Sequence, residues 1–149
     1  MGGAARLVYT ANKAYHLFKA KWIAQIIKNI CRIIYACDIS YQIQIGKNLK
    51  MPHQGLGVVI GPDVVIGSNV TIYQNSTLGS KDNGKVYAAP VIGDHVMIGA
   101  GTVILGRVQI GSNVKIGANS VVLTDIPNNC IVAGVPAKII SKAANEKTI

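Results

Sequence analysis

Acidic side chains are scarce in this chain. It has six Asp and Glu against fifteen Lys and Arg in 149 residues, a formal net charge of +9. That balance suits nucleic acid, an anionic membrane or a phosphorylated small molecule, and composition alone does not choose among them. Aromatics are also few: one Trp, one Phe and six Tyr. None is interleaved with basic residues, and no zinc-finger or helix-turn-helix spacing occurs, so a nucleic-acid partner is not expected. Cysteine is limited to Cys31, Cys37 and Cys130, an odd number without a C-x-x-C pair. They are expected as reduced, buried thiols of a cytoplasmic protein. Lys13, Lys19, Lys21, Lys28 and Arg32 interrupt every early apolar run, so neither a signal peptide nor a membrane-spanning helix is expected. The only histidines are His16, His53 and His95. Their spacing builds no H-x4-H pair, so no metal is expected.

What the chain has in abundance is Val, Ile and Gly, a composition of strands and tight turns. From Ile60 to Leu123 an aliphatic residue returns every six positions, usually with glycine beside it: Ile60, Ile66, Ile72, Leu78, then Ile92, Ile98, Ile104, Ile110, Ile116 and Val122. A fixed short period means that each repeat buries its apolar face only by stacking on its neighbours. The fourth residue after each aliphatic is small or β-branched: Val64, Val70, Ser76, Val96, Thr102, Val108, Val114 and Ser120. Both positions can point inward. The residue just before it is Asp63, Asn69, Asn75, His95, Gly101, Asn113 or Asn119, types that tolerate positive φ and so mark a corner. Each hexad is therefore a short strand and a corner, and three such sides close a triangular prism.

Residues 1–38 are expected as a helical segment, with a break near Phe18 to Ala20 and an apolar stripe of Ile23, Ile26, Ile27, Ile30, Ile34 and Cys37. It serves as a cap on the raw end of the coil stack and on a partner subunit. Contact with a membrane surface through these basic helices stays open as the alternative. Residues 39–140 form the prism, with the repeat opening at Ile45-Gly46. The step from Ile45 to Ile60 is 15 residues, so the backbone must bulge at Met51 to Gly57, where Gly55 and Gly57 permit it. The step from Leu78 to Ile92 is 14 residues, and the polar run Ser80 to Lys85 is expected to leave the prism as an exposed loop. Past Val122 the pattern ends. Residues 141–149 are a polar tail, expected as a frayed helix.

Among residues able to carry chemistry, His95 is expected as a surface corner and His16 as solvated or interfacial. His53 stands apart in the irregular, glycine-flanked turn. Gly99-Ala100 and Gly117-Ala118 lie 18 residues apart, one full coil, and stack into a smooth channel for a thin chain such as a pantetheine arm. Lys138 is placed to meet a phosphate at its end.

Residues 40–140 resemble the hexapeptide-repeat acyltransferases, whose fold is a left-handed parallel β-helix. Met51 to Gly61, Val70 to Gly79, Ile98 to Gly106 and Gly134 to Lys138 look like its serine acetyltransferase branch. The resemblance implies His53 as general base. It also implies acetyl-CoA in a groove between neighbouring subunits of a homotrimer, lined by Gly79, Ala100, Ala118 and Lys138. Tyr73, Gln74 and Asn75 are candidates for the acceptor site. There are departures from the branch. Its Asp-Arg-His-Pro run, whose basic residues hold serine, is matched by Tyr87-Ala88-Ala89-Pro90. Pro52 replaces the acid before the histidine, and the turn after His53 is one residue longer. These losses favour acetyl transfer to a hydroxyl of a sugar or polysaccharide precursor, of capsule, exopolysaccharide or O-antigen type. Serine O-acetylation in cysteine biosynthesis, suggested by the terminal Ile149, is the alternative. A non-catalytic β-helix scaffold is the third reading.

Overall fold

The computed structural model describes residues 2–80 and 89–142. Short parallel strands, of two or three residues except for the five of Cys130–Gly134, build three flat faces of a left-handed β-helix. The first face stacks Ile39, Ile60, Leu78, Ile104 and Val122. The second stacks Ile45, Ile66, Ile92 and Ile110, and the third stacks Ile72, Ile98, Ile116 and Val132. Apart from Ile45, which is partly buried on the first coil, these aliphatics fill the interior with almost no exposure. Parallel strands buried on their inner side favour this run of β-branched residues.

The repeat starts one strand earlier than its glycine signature. Ile39 already pairs with Ile60, and Met51 lies on the same six-residue grid, with Lys50 bridging to Thr71. Successive coils there are 21 residues apart rather than the 18 between Ile60 and Leu78. The bulge is therefore three residues inserted between the third and first faces. The longer step from Leu78 to Ile92 turns a single corner, because these residues occupy the first and second faces in sequence. Of the expected loop, Ser80 to Lys85, all but Ser80 lies outside the described residues. Beyond Val122, where the hexad pattern ends, the coil continues. Ile126 bridges to Ile110 after a shortened corner, and Val132 pairs with Ile116. The final strand, Ala137–Lys142, turns back antiparallel. It takes Ser141 and Lys142 out of the expected tail helix, and residues 143–149 are outside the described set.

Corners follow the residue types. Asn69, Asn75, His95, Asn113 and Asn119 all have φ between 56° and 59°, as do Asn48 and Asn129, which the hexad register had missed. Asp63 does not adopt positive φ, since Pro62 before it supplies a turn that needs no left-handed residue. At the second edge the backbones touch: a Cβ on Gly67 would lie 2.6 Å from the carbonyl oxygen of Gly93. Beside this contact runs a ladder in which Ser68, Asp94, Ser112 and Asn128 each accept a backbone N–H from the coil before.

Two helices, α1 (Gly3–His16) and α2 (Lys21–Tyr35), cover the open end. The first coil has no neighbour on one side, so its backbone groups need other partners. Helix α1 supplies them. The Tyr9 hydroxyl donates to Gly46 O at 2.6 Å and accepts the Leu49 N–H at 3.0 Å. Asn12 Nδ2 donates to Tyr41 O and Ile43 O. The buried side of α1 is Ala4, Ala5, Val8, Ala11 and Ala14, small enough for close approach. Helix α2 differs from expectation: it contributes only Ala24 and Cys31 to the interior, while Ile26, Ile30 and Ile34 of the predicted stripe face outward. Cys31 and Cys37 are free, buried and 3.3 Å apart. The hydrogen bond they share, together with burial, pushes the Cys37 thiol well above the ordinary thiol range.

Candidate active site

His53 sits in the inserted turn, on the edge between the third and first faces. A single 3-10 turn spans Pro52–Gly55. Within it His53 (φ 54°) and Gln54 (φ 58°) are both left-handed, and Gly55 and Gly57 follow with φ of 71° and 67°. Non-glycine residues hold this conformation only when their surroundings impose it, and such strain concentrates at functional sites. The surroundings here are explicit. The Ala4 N–H at the start of α1 donates to Gln54 Oε1 at 3.3 Å. Gly57 N–H donates to Ala36 O, Leu56 N–H to His53 O, and Asn75 N–H to Leu56 O. Met51 is buried beneath the turn. The His53 ring is exposed, with no hydrogen-bond partner among the described residues, so it is free to meet a substrate.

Along the same edge the next coils present Tyr73, Gln74 and Asn75, then Gly99 and Ala100, then Gly117 and Ala118. The register is fixed by Gly101 N–H donating to Gln74 O and Asn119 N–H to Ala100 O. Three hydroxyls pin this edge from inside. Ser76 Oγ donates to Tyr73 O and Gly99 O, Thr102 Oγ1 to Gly117 O, and Ser120 Oγ to Gly117 O. A Cβ on Gly99 would lie 2.6 Å from Ala118 N, so the edge is bare backbone trimmed by two methyl groups. Lys138 pairs with Ala133, one strand beyond Gly117, and is exposed. From the His53 coil to the strand of Ala133 is four steps, and Lys138 lies on the strand beyond it, five steps or about 24 Å away at the usual strand spacing. Asn75 takes the corner conformation and is exposed, whereas Gln74 Oε1 is buried without a partner among the described residues. A buried carbonyl of this kind calls for a water or a ligand donor.

Gly79 is not brought to this edge. It ends the first-face strand Thr77–Gly79, at the opposite margin of that face, where Gly106 N–H donates to its carbonyl. The candidate residues thus divide between two edges flanking one face. Of the four-residue run matched to the serine-holding motif, Tyr87 and Ala88 fall outside the described residues. His95 is a corner residue beside Asn69 Nδ2 at 3.4 Å, and His16 closes α1. Among the described residues no three His, Cys, Asp or Glu side chains cluster for a metal. Sequence reasoning overlooked Gln54 and the Ser76-Thr102-Ser120 set. The second was visible as hydroxyls replacing valine at every third hexad.

A coil of this geometry with a glycine- and alanine-lined edge defines a hexapeptide-repeat transferase. Residues 89–124 match the family model described as "Bacterial transferase hexapeptide (six repeats)", and residues 55–74 match "Hexapeptide repeat of succinyl-transferase". A serine acetyltransferase from Staphylococcus xylosus is 44% identical over 133 residues, covering 87% of this chain and 60% of its own. One from Helicobacter pylori is 40% identical over 138 residues, covering 93% and 80%. A solved Brucella abortus serine acetyltransferase in complex with coenzyme A superposes with a TM-score of 0.88 at 35% identity, covering 95% and 56%. The chain belongs to the hexapeptide-repeat acetyltransferase family, and these relatives are serine acetyltransferases. It spans about half the length of some curated relatives it matches. The comparisons overturn the expectation of a sugar or polysaccharide acceptor. That expectation rested on the missing basic residues at Tyr87 to Pro90, on Pro52 in place of an acid and on the longer turn after His53. Similarity to the serine enzymes extends over the whole coil.

Proposed function

We propose that the chain transfers acetyl from acetyl-CoA to the hydroxyl of L-serine. The observation that carries this reading is the position of His53, held left-handed in a three-residue insertion on the edge that also bears Ala100, Ala118 and Lys138. The relatives that share this coil supply the acceptor. Neutral His53 takes the serine hydroxyl proton as the oxygen attacks the thioester carbonyl. The carbonyl reforms, the C–S bond breaks, and the same ring returns the proton to the departing CoA thiolate. The pantetheine arm lies over Ala100 and Ala118, where no larger side chain obstructs it, and Lys138 meets phosphate charge at the far end. Gln74 Oε1 is an acceptor suited to the serine ammonium group.

Because Gly79 occupies the other edge of the first face, the reading includes a homotrimer in which one subunit's His53 edge meets its neighbour's Gly79 edge. The test is CoA release from acetyl-CoA with and without L-serine. Serine-dependent release should fall about 10²–10⁴-fold in His53→Ala, the usual worth of a general base. Release that ignores L-serine, or survives the substitution, overturns the proposal.

A further inference from the structure

The chain's single Trp and single Phe are both on the surface, four residues apart. Phe18, in the turn between the helices, and Trp22, on α2, are each 69% exposed. At 100° per residue, Trp22, Ile26, Ile30 and Ile33 fall on one side of α2, and Ile33 is 81% exposed. Helix α2 is held by α1 and by the first strand through its opposite side, at Ala24 and Cys31. That side of α2 meets no other element among the described residues. Monomeric proteins rarely leave such a contiguous patch uncovered.

Charge identifies the occupant. Before Asp38 the chain has six Lys and Arg and no Asp or Glu. Lys28 pairs with Asp38 at 2.8 Å. Arg32 lies 3.9 Å from the same carboxylate, while Arg6, Lys13, Lys19 and Lys21 add positive charge to the helices, and Lys19 and Lys21 flank Phe18 and Trp22 in sequence. A second copy of the same surface brings equal positive charge and no acid to match it. An anionic lipid surface matches both features. The acyl boundary accepts the Trp, Phe and Ile side, and the headgroups accept the ammonium and guanidinium groups carried on long apolar stems. No helix among the described residues is long and apolar enough to cross a membrane. We propose that α2 and the turn before it lie in the interface of an anionic membrane, holding the acetyltransferase coil on its surface.

Trp22 reports this directly, since no other indole contributes. With vesicles of phosphatidylglycerol and phosphatidylcholine, its emission should shift to shorter wavelength and become shielded from acrylamide, and the protein should co-sediment. Phosphatidylcholine alone or high salt should weaken binding about tenfold or more. Ile33→Glu, at the most exposed position, should abolish the shift while leaving the melting curve unchanged. Ile26→Glu provides a second variant with Trp22 intact. His53→Ala should bind vesicles like the parent, so loss of transfer and loss of lipid binding are read separately. Unshifted emission with anionic vesicles overturns the proposal. So does a mass that doubles without lipid and returns to the smaller value in Ile33→Glu, which would assign the patch to a second copy.

Discussion

At the scale of single residues, the unusual feature of His53 is its backbone. A left-handed conformation costs an L-residue about 1–2 kcal/mol, and here two in succession carry it, at φ 54° and 58°. The ring makes no bond that would repay this within the described fold. His53→Gly should therefore raise stability by about 1 kcal/mol while abolishing serine-dependent transfer. Paired urea melts and CoA-release assays check both halves. A destabilised His53→Gly would mean that the ring itself holds the turn. His53 was legible in the sequence as the lone histidine in a glycine-flanked break of the repeat. Its conformation was not, because it depends on Ala4, Ala36 and Asn75, residues distant in sequence that fasten the turn from three sides. The Asn corners were legible for the opposite reason. Their side chains suit positive φ by themselves, and only Asp63, behind Pro62, departs from the rule.

At the scale of elements, the strands declared themselves through the six-residue period, but the cap did not. Helix α1 lacks a strong apolar stripe. Its fit comes from alanines and from two polar side chains that substitute for a missing coil. That role cannot be read from periodicity, since it belongs to the unpaired groups at Tyr41, Ile43, Gly46 and Leu49. The sequence pattern pointed instead to α2, where Ile26, Ile30 and Ile34 of the stripe turn out to face away. Tyr9→Phe tests the substitution. It keeps the ring and leaves a buried N–H and a carbonyl without their shared partner, at a cost of about 1–3 kcal/mol. The urea midpoint should fall with an unchanged slope. Stability equal to that of the parent would show that the first coil satisfies these groups in another way. The same helix holds Gln54, so loss of the cap is expected to loosen the His53 turn as well.

At the scale of the whole molecule, the prism separates what the reaction would join. His53, Ala100, Ala118 and Lys138 follow one edge, and Gly79 with the 14-residue step follows the other edge of the same face. Linear spacing had no means of showing this, because 18-residue stacking reports which residues share an edge but not which edges meet between subunits. If a site is made from the His53 edge of one subunit and the Gly79 edge of the next, two dead variants should repair each other. His53→Ala lacks the base, and Gly79→Phe fills the groove where a Cβ has ordinary contact distance to Leu105, 3.6 Å, but a ring does not fit against bound CoA. In a closed three-fold ring, every mixed trimer contains one junction where an intact His53 faces an intact Gly79. Random mixing in equal amounts should then restore about a quarter of parent activity. Neither variant should recover when unfolded and refolded alone. Mixed samples that stay inactive, with the trimer confirmed by sedimentation, would place His53 and Gly79 in separate sites and remove Gly79 from the CoA groove.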